Sequence, residues 1–312
     1  MISKEVLVFG SINMDLVARV PRLPQPGETL QGDRFTTTSG GKGANQAIAA
    51  ARLGASTTLV GRVGKDGFGS ALMTHLKRNG VNGDAISADS NTSTGIAQIL
   101  VDDAGQSQIV IIGGANQTVG DSELAYIEQH LSNIHILLLQ LEIPLPQVIA
   151  AAKLAQTAGA ITVLDPAPAP DQLPRELYSV VDLLTPNETE ARRLVRFPVT
   201  DPDSAAIAAK ALHQKGVPRV IITLGDRGSF YSSPGQQFWT PAVLVDVVDT
   251  VAAGDAFNGA IAAALATATQ PWESTIRFAT LAAALACTQT GAQTSLPTRQ
   301  AVQALEQRSR AV

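Results

Sequence analysis

Short, continuous apolar runs alternating with longer helical patterns constrain the fold of this chain more than any other feature. The runs are "EVLVFG" (5–10), "TTLVGRVG" (57–64), "HILLLQLE" (135–142), "AITVLDPAP" (160–168), "VDLLTPNE" (181–188) and "RVIITLGDRG" (219–228). Their apolar residues are consecutive rather than alternate, which suits strands buried on both faces. Between them, helical spacing appears over Gly43–Leu53, Phe68–Asn79, Asp121–Leu131, Pro146–Ala158, Glu188–Val195 and Pro202–Lys215. This β-α repetition predicts an α/β fold: a mainly parallel sheet flanked by helices. At 312 residues and 45% hydrophobic content, one domain spanning 1–312 has ample core.

Two stretches break the rhythm. Residues 14–38 hold three prolines, a Pro-Gly turn and segments of alternating polarity, and 94–112 reads as a hairpin around "DDAGQ". Together they are expected to form a small β-sheet lid over the ligand edge. The last third changes again, with two alanine-rich, almost uncharged helices over 252–269 and 274–288 that must be buried.

Net charge is −4 and Lys and Arg are scattered, which argues against a nucleic-acid partner. No apolar stretch reaches the ~18 residues a bilayer span needs, so no membrane association is expected. The apolar run after Met1–Glu5 is too short for an export signal. The single cysteine, Cys287, excludes an internal disulfide and fits a reducing, cytoplasmic setting.

Polar residues gather just beyond the strands: Asn13 and Asp15, Glu142, Asp165, Asn187, and Thr223 to Gly228. In open α/β sheets that edge binds ligands. One segment there, "TTTSGGKGANQAIAAARLG" (36–54), sets glycines around Lys42 at the start of a helix. It matches neither standard phosphate template. A Walker loop needs Ser or Thr after the lysine, where Gly43 stands, and a dinucleotide loop follows a buried strand rather than a threonine run. A second segment, "VVDTVAAGDAFNGA" (247–260), places Asp255 behind the small-residue turn Ala252-Ala253-Gly254 at a helix start. The turn's N–H groups would converge on an anion, and the carboxylate would accept a proton. That pairing is what phosphoryl transfer to an alcohol requires.

"GGKGANQAIAAARLG" and "DTVAAGDAFNGA" resemble the two signatures of the ribokinase family of carbohydrate kinases, also called PfkB. "GSINMDLV", "PGETL", "QLEIPL", "PAPA", "TPNETEA", "IITLGDRG" and "GAQTSLP" resemble further segments of the family, in the same order along the chain. The resemblance implies ATP-dependent phosphorylation of D-ribose at O5, with Asp255 as base and Gly254, Ala253 and Ala252 beside it. It places Asn13, Met14, Asp15, Gly41, Lys42, Gly43, Ala44, Asn45 and Glu142 around the sugar, so the glycine-lysine loop grips sugar rather than nucleotide. Carried over to the nucleotide are Asn187, Glu190, Thr223, Leu224, Gly225, Asp226, Arg227, Gly228, Gly254 and Thr280, with Mg²⁺ associated with Glu190. Asp249, Val251, Ala286, Gln289, Gly291 and Ser295 match a monovalent-cation (K⁺) loop. A homodimer through the lid is expected, since a small two-sided sheet has exposed edges and an uncovered face.

Two alternatives stay open at this level. One is a related kinase acting on 2-deoxyribose, fructose, another sugar or a nucleoside. The other is a sugar-binding regulator without catalysis, against which the presence of Asp255 speaks.

Overall fold

The computed structural model describes residues 5–267 and 270–310. Strand β1 (Glu5–Phe9) leads within four residues to β2 (Asn13–Arg19), then β3 (Arg34–Gly40) and helix α1 (Lys42–Arg52). Next come β4 (Thr57–Gly64), α2 (Gly67–Arg78), β5 (Ile86–Asp89), β6 (Gly95–Val101) and β7 (Ser107–Ile112). The middle of the chain gives α3 (Asp121–His130), β8 (Ile134–Leu139), α4 (Leu145–Ala158), β9 (Ile161–Leu164), α5 (Arg175–Val180) and β10 (Leu183–Leu184). It continues with α6 (Glu188–Val195), α7 (Pro202–Gln214), β11 (Arg219–Thr223), β12 (Ser229–Ser233) and β13 (Gln236–Thr240). Helices α8 (Ala253–Thr267), α9 (Trp272–Ala286), α10 (Ala292–Ser295) and α11 (Arg299–Arg310) complete it.

Nine strands form the large sheet in the order β13-β12-β11-β10-β9-β8-β1-β4-β5. Every pairing from β11 to β5 is parallel, and the β11-β12 and β12-β13 pairings are antiparallel, so β12 alone runs against the rest. The continuous apolar runs split between two cores by strand alternation. Val6 and Val8 face a core shared with α1, α2, α8, α9 and α11, while Leu7 and Phe9 face one shared with α3 to α7. The alanine-rich helices are buried as their composition requires: Ala260, Ala262 and Ala263 of α8 have no exposed surface. Their small side chains let α1 and α8 approach closely. A Cβ on Gly259 would lie 2.4 Å from the Ala49 Cβ and 2.9 Å from the Gln46 carbonyl oxygen, so only glycine fits there.

A separate four-stranded sheet, β3-β2-β6-β7, comes from the two irregular stretches. β2 and β6 pair in parallel, flanked by antiparallel β3 and β7. All six residues of β7 are exposed, Ile109 and Val110 to more than half of their surface.

The expected helices fall within a residue or two of those observed, as helix ends generally do. The close of the 252–269 segment, Ala268-Thr269, lies outside the described residues. "VDLLTPNE" yields only the two-residue β10, and beyond Pro186, which has no N–H to donate, pairing continues only as an isolated bridge between Asn187 and Thr223. The β12-β13 hairpin around Pro234-Gly235 was not anticipated. Among the described residues, no helix is long and apolar enough to cross a membrane.

Candidate active site

The junction between the two sheets builds the sugar-side residues. β1 ends at Phe9 and β2 begins at Asn13, so Asn13 and Asp15 stand where the small sheet leaves the large one. β3 returns to the same place and turns into α1 through Gly41, whose φ of 90° is left-handed. A Cβ there would sit 2.7 Å from the Asn13 nitrogen.

The first-turn N–H groups of α1 are already occupied. Lys42 N donates to Glu142 Oε2 at 3.1 Å, Gly43 N to Ser11 Oγ at 3.3 Å and Ala44 N to Ser11 O at 2.9 Å. Ser11 Oγ in turn donates to Glu142. A carboxylate therefore sits at the positive end of the helix, where a phosphate loop would leave open donors. Of this loop, the Lys42 side chain is what remains for a ligand. Its Nζ lies 3.9 Å from Asp165 Oδ2.

Strand alternation separates Met14 from its neighbours. It is buried in the large core, on the opposite side of β2 from Asn13 and Asp15, and Ala44 is likewise a core residue. Asn13 Oδ1 accepts from Asn116 Nδ2 at 2.7 Å, and the same Asn116 accepts from Ile12 N and donates to Ile12 O. One side chain thus fixes the entry to β2.

Four carboxylates, Asp165, Asp255, Glu142 and Glu190, act on Lys42, and Asp15 lies close to two of them. Burial, reinforced by Glu142 and Asp255, pushes Asp15 up to about 7. Burial also raises Asp165, against the pull of Lys42, and raises Glu190. Burial alone would lower the Lys42 ammonium, but Asp165, Asp255, Glu142 and Glu190 together raise it, so it stays charged.

Asp255 lies in the first turn of α8, 5% exposed. Its Oδ2 accepts from Asn45 Nδ2 at 2.8 Å and its Oδ1 from Gln46 Nε2 at 3.1 Å. Ahead of it Ala252 takes φ 61°, a left-handed conformation that a residue with a Cβ seldom adopts. Ala253 N makes a long bond to Thr250 O (3.3 Å), and the first intrahelical bond is Ala256 N to Ala252 O. The N–H groups of Gly254 and Asp255 thus have no acceptor in the helix. Space is open where a Gly254 Cβ would point.

Beyond this turn lies a cavity of about 660 Å³ lined by Asn187, Thr223, Gly225, Asp226, Gly228, Gly254 and Thr280, together with Ala242–Val245, Phe257 and Ala283. A parallel bridge sets Asn187 beside Thr223. Of the carried-over positions, Leu224, Arg227 and Glu190 are not among the lining residues, whereas Thr280 is. Leu224 is fully buried; Arg227 turns to an ion pair with Glu188; and the Thr280 hydroxyl donates back to Ile276 O at 2.8 Å. Glu190 closes a capping box with Asn187, each side chain accepting from the other's backbone N–H.

Asp249 ties the two candidate cation segments together. Its Oδ1 accepts from Val251 N at 3.0 Å and its Oδ2 from Gly291 N at 2.9 Å. The Cys287 carbonyl, between Ala286 and Gln289, accepts from Val248 N and Asp249 N. The Ser295 hydroxyl is spent on Ala292 O.

Sequence reasoning gave no role to Asp165, Gln46, Gln140, Gln293, Asn116 or Ser11, all of which shape this site. Asp165 stood among the polar residues at strand ends and carried a usable signal. The glutamines carried none, because a lone amide in an apolar helix or strand reads the same whatever it bonds.

The pfkB family carbohydrate kinase model matches residues 3–299. The chain is 42% identical to a ribokinase of Haemophilus influenzae over 297 residues, covering 95% of this chain and 96% of that one. It is 34% identical to a deoxyribokinase of Salmonella typhi, covering 94% and 95%. The structure of Arabidopsis thaliana ribokinase complexed with ribose and ATP superposes with a TM-score of 0.90 at 35% identity, over 97% of this chain and 98% of that one. With a Gly-Lys helix start, a carboxylate at a strained helix-start turn and a flanking cavity on one edge of the sheet, the chain belongs to the pfkB family of carbohydrate kinases.

Proposed function

We propose that the chain transfers the γ-phosphoryl group of ATP to O5 of D-ribose, giving D-ribose 5-phosphate and ADP. The observation that carries this reading is the place of Asp255. Its carboxylate is held by Asn45 and Gln46 on the sugar side and directly follows Gly254, which lines the nucleotide cavity. The relatives named ribokinase, one of them complexed with ribose and ATP, support the choice of sugar.

On this reading Asn13, Asp15, Lys42 and Glu142 orient the sugar, whose hydroxyls both donate and accept. A carboxylate of ordinary acidity is too weak to strip a primary alcohol beforehand. Asp255 therefore aligns the hydroxyl and takes its proton as the bond to the γ-phosphorus forms, while the N–H groups of Gly254 and Asp255 hold charge on the phosphoryl. The adenosine portion rests along 242–245 and α9.

The excess of carboxylates over cations at this site favours ATP arriving with Mg²⁺, which would neutralise charge on the phosphates. Glu190 retains lone pairs for it, and one or two carboxylates plus phosphates and waters suffice for this ion. Asp249, with the carbonyls of its two segments, suits a monovalent cation such as K⁺ beside the 252–255 turn. We read 1–312 as one domain with a lid of 14–38 and 94–112, a homodimer through that lid, and a cytoplasmic enzyme, in keeping with its single free cysteine.

The deoxyribokinase relative supports a second reading, with 2-deoxyribose as substrate. ADP release with ribose, 2-deoxyribose and fructose separates the two. A missing hydroxyl leaves a polar group of the site unpaired at ~1–3 kcal/mol, so ribose should lead in kcat/KM by roughly five- to hundred-fold. Equal or better turnover of either rival sinks the ribose assignment.

A further inference from the structure

Two consecutive side chains of α1 grip the two oxygens of Asp255, and each is held from behind by another amide. Asn45 Nδ2 donates to Oδ2, and the Asn45 Oδ1 accepts from Gln293 Nε2 at 2.9 Å. Gln46 Nε2 donates to Oδ1 and also to Asp165 Oδ2 at 2.8 Å, and the Gln46 Oε1 accepts from Gln140 Nε2 at 2.6 Å. Gln46, Gln140, Asn45 and Gln293 are all buried.

The polarity of this arrangement is forced. A carboxylate accepts only, so each inner amide must turn its NH₂ forward and its carbonyl back. Each outer amide must then offer an NH₂ to that carbonyl. This leaves the Gln140 Oε1 atom buried without a partner. An unpaired buried acceptor is a cost that a core serving stability alone would shed by using an apolar residue. A reversed Gln46 would press its carbonyl against both Asp165 and Asp255.

We infer that Gln46 and Gln140, mirrored by Asn45 and Gln293, form a clamp that positions the Asp255 carboxylate for proton acceptance. This rests on the reading of Asp255 as base. Gln46, Gln140 and Gln293 are positioning residues: they orient the base and leave one lone-pair site on each of its oxygens for the sugar hydroxyl. The close approach of α1 to α8 at Gly259 is what brings residues 45 and 46 within reach.

The test compares Gln46→Leu, Gln140→Leu, Gln293→Leu and the Gln46→Leu/Gln140→Leu double variant. Readouts are kcat, ribose affinity by calorimetry without nucleotide, and melting temperature. Gln140→Leu should lower kcat by about five- to twentyfold with ribose affinity within about twofold. The double variant should match Gln46→Leu alone, because Gln140 acts through Gln46. Gln140→Glu, closer in shape but with an acceptor facing the Gln46 carbonyl, should be worse than Gln140→Leu. If Gln46→Leu fails to fold, Gln140→Leu and Gln293→Leu carry the test. Unchanged kcat, parallel losses in kcat and affinity, or additive single effects would each overturn the clamp. Wild-type turnover of ribose is the separate control for the proposed function. Should the wild type prefer another sugar, the same kcat ratios are read with that sugar.

Discussion

Asp15→Asn should stabilise the sugar-free protein, and more so as pH rises. Burial, with Glu142 and Asp255 close by, pushes the Asp15 carboxyl from 3.8 up to about 7. A folded-state value above the unfolded one means the native state keeps a proton that the unfolded chain releases. The wild type therefore loses stability as pH climbs from about 4 to about 7, and the loss is constant above that. At 1.36 kcal/mol per pH unit the climb is worth on the order of 4 kcal/mol. The group is partly exposed and water relaxes around it, so ~1–2 kcal/mol is the realistic gain on removing the charge. For a chain of this size that raises the melting temperature by ~2–6 °C at pH 8. At pH 5 the gain should be about a third as large, since most of the 3.8–7 window lies above it. Scanning calorimetry of both proteins at pH 5 and 8 without ligand measures this. Ribose should meanwhile bind Asp15→Asn at least tenfold more weakly, as its hydroxyls lose a charged acceptor. A gain equal at both pH values, or none at pH 8, would refute the account of Asp15 as a carboxyl held protonated by burial and its charged neighbours.

Two further outcomes follow from the surface and the loops. Replacing a large organic cation in the buffer by potassium should raise kcat several-fold, since a cation held near Asp249 would steady the turn at 252–255; indifference to the exchange removes that site. The protein should scatter light as a dimer at micromolar concentration, and Ile109→Lys with Ile111→Lys on exposed β7 should make it monomeric; a monomeric wild type contradicts the lid interface.

Much of the architecture was legible because burial on both faces writes itself as consecutive apolar residues, although exposed β7 shows that such a run can also lie at the surface. The small sheet was legible from prolines and alternation in 14–38 and 94–112. β10 was overread because an apolar run carries no sign of how many of its residues will pair, and here only Leu183 and Leu184 do so as a strand. At the site, Asp255 stood out through its turn, yet the strain at Ala252 has no signature in an alanine. The resemblance set Met14 with Asn13 and Asp15, whereas a strand sends neighbours to opposite faces and the Met14 side chain packs in the large core. The amides behind Asp255 come from α1, the residue just past β8, and α10. Such long-range bonds leave no pattern in one sequence, because each residue is ordinary in its own segment.

The most direct test of the account is the turnover of Asp255→Asn with saturating ATP and ribose. The substitution keeps the shape and leaves an oxygen to accept from one of the two amides, but it cannot take a proton. The account predicts a fall in kcat of roughly 10²–10⁴-fold, the usual contribution of a general base, with ribose affinity changed far less. A variant retaining more than about a tenth of wild-type kcat would contradict it. Asp255 would then serve only to begin its helix, and the proton would have to leave the sugar by another route.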